Sequence, residues 1–455
     1  MVVPGREAIA RRPGRIDSTY NNMDKRLTSS WQALGPGLLW AGAAIGVSHL
    51  VQSTRAGASF GLGLLGVVLF AHFYKYPAFS FGPRYAAATG TSLLEGYRRQ
   101  GRWALWLYGI LTIASMFTIQ AAVTFVTAAL FTNLSGWHGN VMGIPVFMLI
   151  AAALLASCSA LLAIGQYRWL DRIIKFVVVV LAVTTLICTV AVLDKVPFNS
   201  LRFLPQGDWV TNTTTAVMLC GLIGWMPGAI EISVWHSLWT LAKRRESGIT
   251  PTVSASLFDF NVGYFATGIL AICFMLMGAG TMYTLGTEFP ATPAAFAAQI
   301  VRLYTENLGR WAEPVVTVSA FAVMFSTTLT VVDGFPRAVA TLTARFAGPE
   351  EREISAPVNA HVYWITLVCL FIGSLIVIGM FLGSLKAMAD LAATMSLLIA
   401  PTLAWLNHRV ITADNVPASA RPGTAMRFYS GFGILIAALM ALYYVTMRWV
   451  FGLGS

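Results

Sequence analysis

Charge is scarce in this chain, and negative charge most of all. Of 455 residues only 19 are Asp or Glu, against 30 Lys or Arg, and charged residues together make up 11%. A water-soluble domain carries about 25%. With 57% hydrophobic residues and a mean hydropathy of +0.69, much of this surface must face lipid or other buried helices. Cysteine is also rare. The five, Cys158, Cys188, Cys220, Cys273 and Cys369, sit inside apolar runs without ligand spacing, which excludes a cysteine metal cluster and leaves them as packing residues. There is no nucleotide-binding motif, no low-complexity tract and no soluble domain. Those absences exclude an ATP-driven pump, and neither enzymatic activity nor a cofactor is expected. The net charge of +11 is spread between apolar runs rather than gathered on one soluble face, so no nucleic-acid partner is implied. No secretory signal is expected either: residues 1–34 are polar and basic, and the first apolar run is too long for a signal core.

What remains is a series of long apolar runs. A membrane-spanning helix needs about 20 apolar residues. Eleven runs qualify, at 36–58, 62–88, 103–132, 142–165, 169–193, 213–241, 254–283, 311–343, 358–382, 385–407 and 427–451. The basic residues between them set orientation, because cytoplasmic loops are enriched in Lys and Arg. If the N-terminus is cytoplasmic, 21 of the 30 basic residues fall inside and 7 outside, while Lys75 and Arg84 lie within the second run. The expectation is an all-α, multi-pass protein of the plasma (inner) membrane, with eleven transmembrane helices. Its basic N-terminal segment, 1–34, would lie at the cytoplasmic surface.

Two of these runs are interrupted at their centres. The first holds Gly46-Val47-Ser48-His49 and the sixth holds Trp225-Met226-Pro227-Gly228. Five is odd, so runs 1–5 (35–193) and 6–10 (194–407) are expected to have opposite orientation, with 408–455 adding a cytoplasmic loop and an eleventh span. An inverted repeat of five plus five whose first helices are broken is the LeuT-type pattern, and its breaks mark a binding site near the bilayer midplane. Secondary transport is the activity this organisation implies.

Specific motifs add a family resemblance. The first run opens Gly35-Pro36 and closes Ala56-Gly57-Ala58-Ser59-Phe60-Gly61. The second reaches Gly82-Pro83-Arg84, Thr89-Gly90 and Leu93-Leu94; the sixth has Met226-Pro227; the tenth ends Ala400-Pro401. In these the chain resembles the Nramp family of divalent metal transporters. The resemblance implies a metal ion as cargo and a coupled proton. It also implies where the ligands should be, and there the chain departs. The family's Asp-Pro-Gly-Asn in the first break is Gly46, Val47, Ser48 and His49 here, so the metal-binding carboxylate is gone. The family's Met-Pro-His ends in Gly228, and its acidic pair in the third span falls near Phe117 and Gln120.

The residues left to carry chemistry follow from those breaks. Broken helices expose carbonyls and amides that must face protein, water or cargo. Gly46 and Ile223 are placed to offer carbonyls, and Ser48 and Gly228 to offer amides. Met226 is the retained family ligand, and a thioether selects soft transition metals; equally, methionine fills apolar gaps. His49 is a metal-ligand candidate by its imidazole, or a buried helix-end histidine. Glu231 lies near the second break, where an ionisable group in the membrane is functional by default; it replaces the missing carboxylate, carries a proton, or staples helices. Asp259, Asp333 and Arg84 are candidates for a proton path or gate, with helix capping as the plainer role of the acids. Gln52 and Ser53 could line the external half, and His236 reads as structural. The leading expectation is carriage of a divalent metal by alternating access. A second is carriage of a small organic solute or anion, since a metal without a carboxylate in contact is electrostatically poor.

Overall fold

In the computed structural model of the chain the described residues are 35–202, 213–284, 313–347 and 360–450, with a few positions between 286 and 309. The basic segment 1–34 lies outside them. Thirteen α-helices account for most of the described chain. The first break separates α1 (Pro36–Ala44) from α2 (Thr54–Phe60), with a π-helical turn, Val47–Ser53, between them. Then come α3 (Leu65–Thr89), the short α4 (Leu93–Gln100) and α5 (Arg102–Ser135). A two-strand hairpin, Asn140–Val141 with Ile144–Pro145, leads into α6 (Val146–Val192). The second break separates α7 (Thr213–Trp225) from α8 (Ile232–Ser247). The remainder is α9 (Val253–Gly278), α10 (Glu313–Ala347), α11 (Ala360–Met380), α12 (Leu385–Ile411) and α13 (Thr424–Val450).

Helix α6 differs from expectation. Runs 142–165 and 169–193 were expected as separate helices, and the structure assigns Val146–Val192 as one helical run. The charged stretch between them has no proline, so nothing in the sequence removes an amide from the hydrogen-bond ladder. Six of the described helices are long and apolar enough to cross a membrane by length and composition. Outward-facing Phe73, Trp106, Ile110, Ile113 and Ile365 are exposed, as lipid-facing side chains of a membrane protein are.

The broken helices lie at the centre because their small residues let other backbones approach. Helix α1 packs on α9 through glycine on both sides. A Cβ on Gly37 would sit 2.1 Å from the Asp259 carbonyl oxygen, and one on Gly263 would sit 2.2 Å from the Gly37 carbonyl oxygen. The same contact ties the end of α1. Asp259 accepts from the Gly35 amide at 3.0 Å and from the Gly37 amide at 2.6 Å. A carboxylate thus satisfies two of the amides that a helix start leaves unpaired. Asp259 is 2% exposed, so removing it leaves those amides buried. Asp259→Asn should cost about 3–5 kcal/mol, two charge-assisted hydrogen bonds, because one amide would face an NH2 group. A lowered thermal midpoint of the purified protein, nearly equal for Asp259→Asn and Asp259→Ala, checks this.

Candidate functional site

The first break is set by Gly46 and by a clamp from α10. Gly46 has φ −137° and ψ −124°, which ends the helical ladder after Ile45. A Cβ there would meet the Thr327 methyl carbon at 2.7 Å. The Thr327 hydroxyl lies 2.9 Å from the Gly42 carbonyl oxygen and 3.0 Å from that of Ile45, two acceptors the break would otherwise strand. The Gly46 carbonyl is already engaged, accepting from the Leu50 amide at 2.9 Å and the His49 amide at 3.2 Å. It is therefore not the free cargo ligand expected from the sequence.

At the second break α7 stops at Trp225, the Met226–Pro227 peptide is cis, and α8 begins at Ile232. Met226 still closes the α7 ladder, its amide donating to Leu222 at 2.9 Å. Proline has no amide, and the amides of Gly228 and Ala229 donate to no backbone carbonyl among the described residues. Between the two breaks lies a cavity of about 30 Å³, room for about two waters. Ala44, Ser48, Gly228, Trp225, Trp235 and Thr327 are among its walls. The space between the breaks is therefore small and mostly apolar.

The carbonyls ending α7 meet a charge that was not singled out from the sequence. Lys75, from the middle of α3, donates from Nζ to the Ile223 carbonyl at 2.5 Å and the Gly224 carbonyl at 2.9 Å. It is 1% exposed. The Ile223 carbonyl, expected to be open to cargo, is covered. A lysine in the middle of an apolar run was itself the signal, since an ionisable residue at that depth is functional by default.

Glu231 stands at the start of α8. It is 1% exposed, and neither carboxylate oxygen has a hydrogen-bond partner of good geometry, although the Ser115 hydroxyl lies beside it. Lys75 lies within electrostatic reach of it, without a direct ion-pair contact. Further up the same face of α5, the Tyr108 and Thr112 hydroxyls are also buried without partners.

The other expected residues are placed as follows. His49 is fully buried and turned toward α9: Nε2 is 3.0 Å from the Thr267 carbonyl oxygen, and Nδ1 is 2.7 Å from the Ser48 hydroxyl and 3.1 Å from the Ala44 carbonyl oxygen. Both ring nitrogens thus lie within hydrogen-bond distance of protein oxygens, so the imidazole is engaged by its own helix and by α9. Neither His49 nor Met226 lines the cavity between the breaks. Among the described residues no group of three or more His, Cys, Asp or Glu could hold a metal ion. The Ser48 hydroxyl donates to the Ala44 carbonyl at 2.6 Å. Asp333 accepts from Arg337 at 2.6 and 2.8 Å, from Trp239 at 3.0 Å and from Tyr363 at 3.1 Å, joining α8, α10 and α11. Arg84 reaches the Ala420 and Arg421 carbonyls at 2.7 and 3.3 Å rather than an acid. His236 packs on Phe260 at 5.8 Å between ring centres. Gln52 is fully buried with both amide atoms unpartnered.

Two ion pairs tie distant helices together. On the α2 side Arg55 donates to Asp390 of α12 at 2.9 Å. On the opposite side Glu95 of α4 binds Arg345 of α10 at 3.2 Å.

Solved structures share this architecture. The chain superposes on the manganese transporter of Eremococcus coleocola, in complex with an aromatic bis-isothiourea substituted compound, with a TM-score of 0.71 at 13% identity, covering 96% of this chain and 88% of that one. MhsT in complex with L-phenylalanine gives 0.61 at 13% identity, covering 91% and 98%. Mhp1, a nucleobase-cation-symport-1 family transporter with bromovinylhydantoin bound, gives 0.54 at 15% identity, covering 93% and 94%. At such identities the likeness shows the fold, which is the all-α LeuT type expected from the paired breaks. In sequence, an uncharacterized protein of Pasteurella multocida strain Pm70 is 33% identical over 387 residues, 84% of this chain and 86% of that protein. The family described as natural resistance-associated macrophage protein-like matches residues 37–447. This chain is a multi-pass membrane protein, a transporter rather than an enzyme, and belongs to the Nramp family.

Proposed function

We propose that the chain carries a divalent metal ion of the Mn, Fe or Mg class by alternating access between its two helix breaks. The family match over 37–447 carries this reading, and the manganese transporter with the same fold supports it. Met226-Pro227 at the second break is the piece of family chemistry that remains. In this reading 35–193 and 194–407 are the inverted halves, 408–455 is an addition, and the N-terminus lies on the cytoplasmic side of the inner membrane. A coupled proton is carried at Glu231. The test is Mn2+ uptake into proteoliposomes. Saturable uptake is expected, with Met226→Ala weakening apparent affinity about tenfold, equivalent to about 1.4 kcal/mol. Absence of metal binding at millimolar concentration in the unaltered protein would reject the metal as cargo.

A second reading keeps the mechanism and changes the cargo to a small organic solute or anion. The cavity favours it: its walls contain no carboxylate, and the neighbouring Ile223 and Gly224 carbonyls are covered by an ammonium. The amides of Gly228 and Ala229 at its edge are donors, which suit an anionic group. Uptake of organic or amino acids from a broad panel, in the absence of divalent metal, would decide for it.

A further inference from the structure

We infer that the carbonyls of Ile223 and Gly224 form a cation site that the protein fills with its own Lys75 ammonium. Three observations converge on it. First, α7 ends at Trp225, so its last carbonyls lack successors in the ladder and carry the negative end of the helix dipole. The Leu222 carbonyl is taken by the Met226 amide, and the next two are those that Lys75 reaches, at 2.5 and 2.9 Å. Second, Lys75 is 1% exposed and comes from the middle of α3, so its position is not that of a lysine extended toward the membrane surface. A small cavity of about 10 Å³ beside Lys75, walled in part by Tyr74, Ile230, Ala404 and Ser430, has room for about one water on the remaining N–H. Third, Glu231 is buried at the start of α8 with no hydrogen bond of good geometry, within electrostatic reach of Lys75. The Lys75 ammonium thus sits at the carbonyl end of α7, with a buried carboxyl group at the α8 start in the same region.

This charge is tethered rather than borrowed from solution. A free cation reaches these carbonyls only by displacing the ammonium. The inference deepens the proposed function, and it rests on that reading in one respect, that cargo binds at the second break. The site holds a cation in every case; what it settles about cargo is that a metal competes with Lys75, whereas an anion does not.

Removing the side chain should therefore create a requirement for a dissolved cation. The full chain, purified in detergent and kept in choline chloride, is unfolded by heat while methylammonium is titrated in. Lys75→Ala should unfold about 3 °C or more below the unaltered protein, and methylammonium at tens of millimolar should restore at least half of that loss. The unaltered protein should not respond. Lys75→Arg, which keeps charge and donors, should stay closer to the unaltered midpoint than Lys75→Met, which keeps only the stem, and this pair serves if the alanine variant does not fold. A Lys75→Ala protein indifferent to methylammonium, or a Lys75→Met protein as stable as the unaltered one, overturns the inference. Mn2+ uptake by the unaltered protein reports on cargo separately. Rescue without any uptake removes the metal and keeps the site; uptake without rescue removes the site and keeps the metal.

Discussion

Cutting the Arg55–Asp390 pair is expected to raise the reactivity of a cysteine placed at Gly221 by about a hundredfold. The two side chains join α2 to α12 at 2.9 Å and are 7% and 16% exposed. They come from the half-helix beyond the first break and from the helix that faces α7, and the expectation is that their contact holds shut a mouth on the α2 side of the central cavity. An ion pair this buried is weak evidence for stability, because desolvation offsets much of the attraction. Removing one partner is different. It leaves the other charge uncompensated in the closed state, at about 3–5 kcal/mol, and in water once the mouth opens. Each 1.4 kcal/mol is a factor of ten in a population. A hundredfold shift toward the open state is thus a cautious figure. Gly221 is a good reporter: an added Cβ would lie 3.6 Å from Asp390 Oδ1 and 3.5 Å from Gln52 Nε2, ordinary contacts. In a background with the exposed Cys369 replaced, Gly221→Cys should react slowly with a charged, membrane-impermeant thiol reagent. Adding Arg55→Ala or Asp390→Ala should accelerate it, and the exchanged pair, Arg55→Asp with Asp390→Arg, should slow it again. Equal rates in all of these would show that the pair does not hold the mouth.

The legibility of the fold and of its site differs for a physical reason. A helix break is a local property. Gly46 and Pro227-Gly228 interrupt apolar runs within a few residues, so both interruptions and the paired architecture could be read from the chain. Asp259 was also readable in its plainer role, because acids gather where helix amides are unpaired; the sequence could not show that the helix capped is α1, over two hundred residues earlier. The contents of the site are nonlocal. Lys75 meets its carbonyls 148 and 149 residues away, Arg55 meets Asp390 across 335, and Thr327 meets Ile45 across 282. No periodicity links such positions. The ligand expectations at Gly46, Ile223 and His49 were made from one helix at a time. Each group is occupied by a partner, and for Ile223 and His49 that partner comes from a distant element. The join within Val146–Val192 is a third kind of case, since a polar, proline-free link is compatible with either a turn or a continued helix.

Glu231→Gln is expected to leave a folded protein that transports about fiftyfold more slowly and without pH dependence. The carboxyl group is 1% exposed, with no hydrogen bond of good geometry to either oxygen. Carboxylates held by several protein donors look different. Asp333 has Arg337, Trp239 and Tyr363, Asp259 has two amides, and Glu95 has Arg98, Arg99 and Arg345. A buried acid without such partners costs several kcal/mol in its ionised form. It persists where protonation changes are part of the work. Gln has nearly the same shape and cannot ionise. The fold should therefore tolerate it, with a thermal midpoint within about 2 °C of the unaltered protein, since no native hydrogen bond is lost. Transport should suffer because the α8 start loses its ionisable group, which lies within electrostatic reach of Lys75. Uptake of Mn2+, measured between about pH 5.5 and 8, separates the outcomes. A flat, low profile for Glu231→Gln fits a proton carried at this carboxyl. An unchanged rate with an unchanged profile would make Glu231 a packing residue and move proton coupling elsewhere. The double variant Glu231→Gln with Lys75→Met removes both charges together. If the pair acts as one unit, its rate should be no lower than that of the worse single variant, because double substitutions within a unit are not additive.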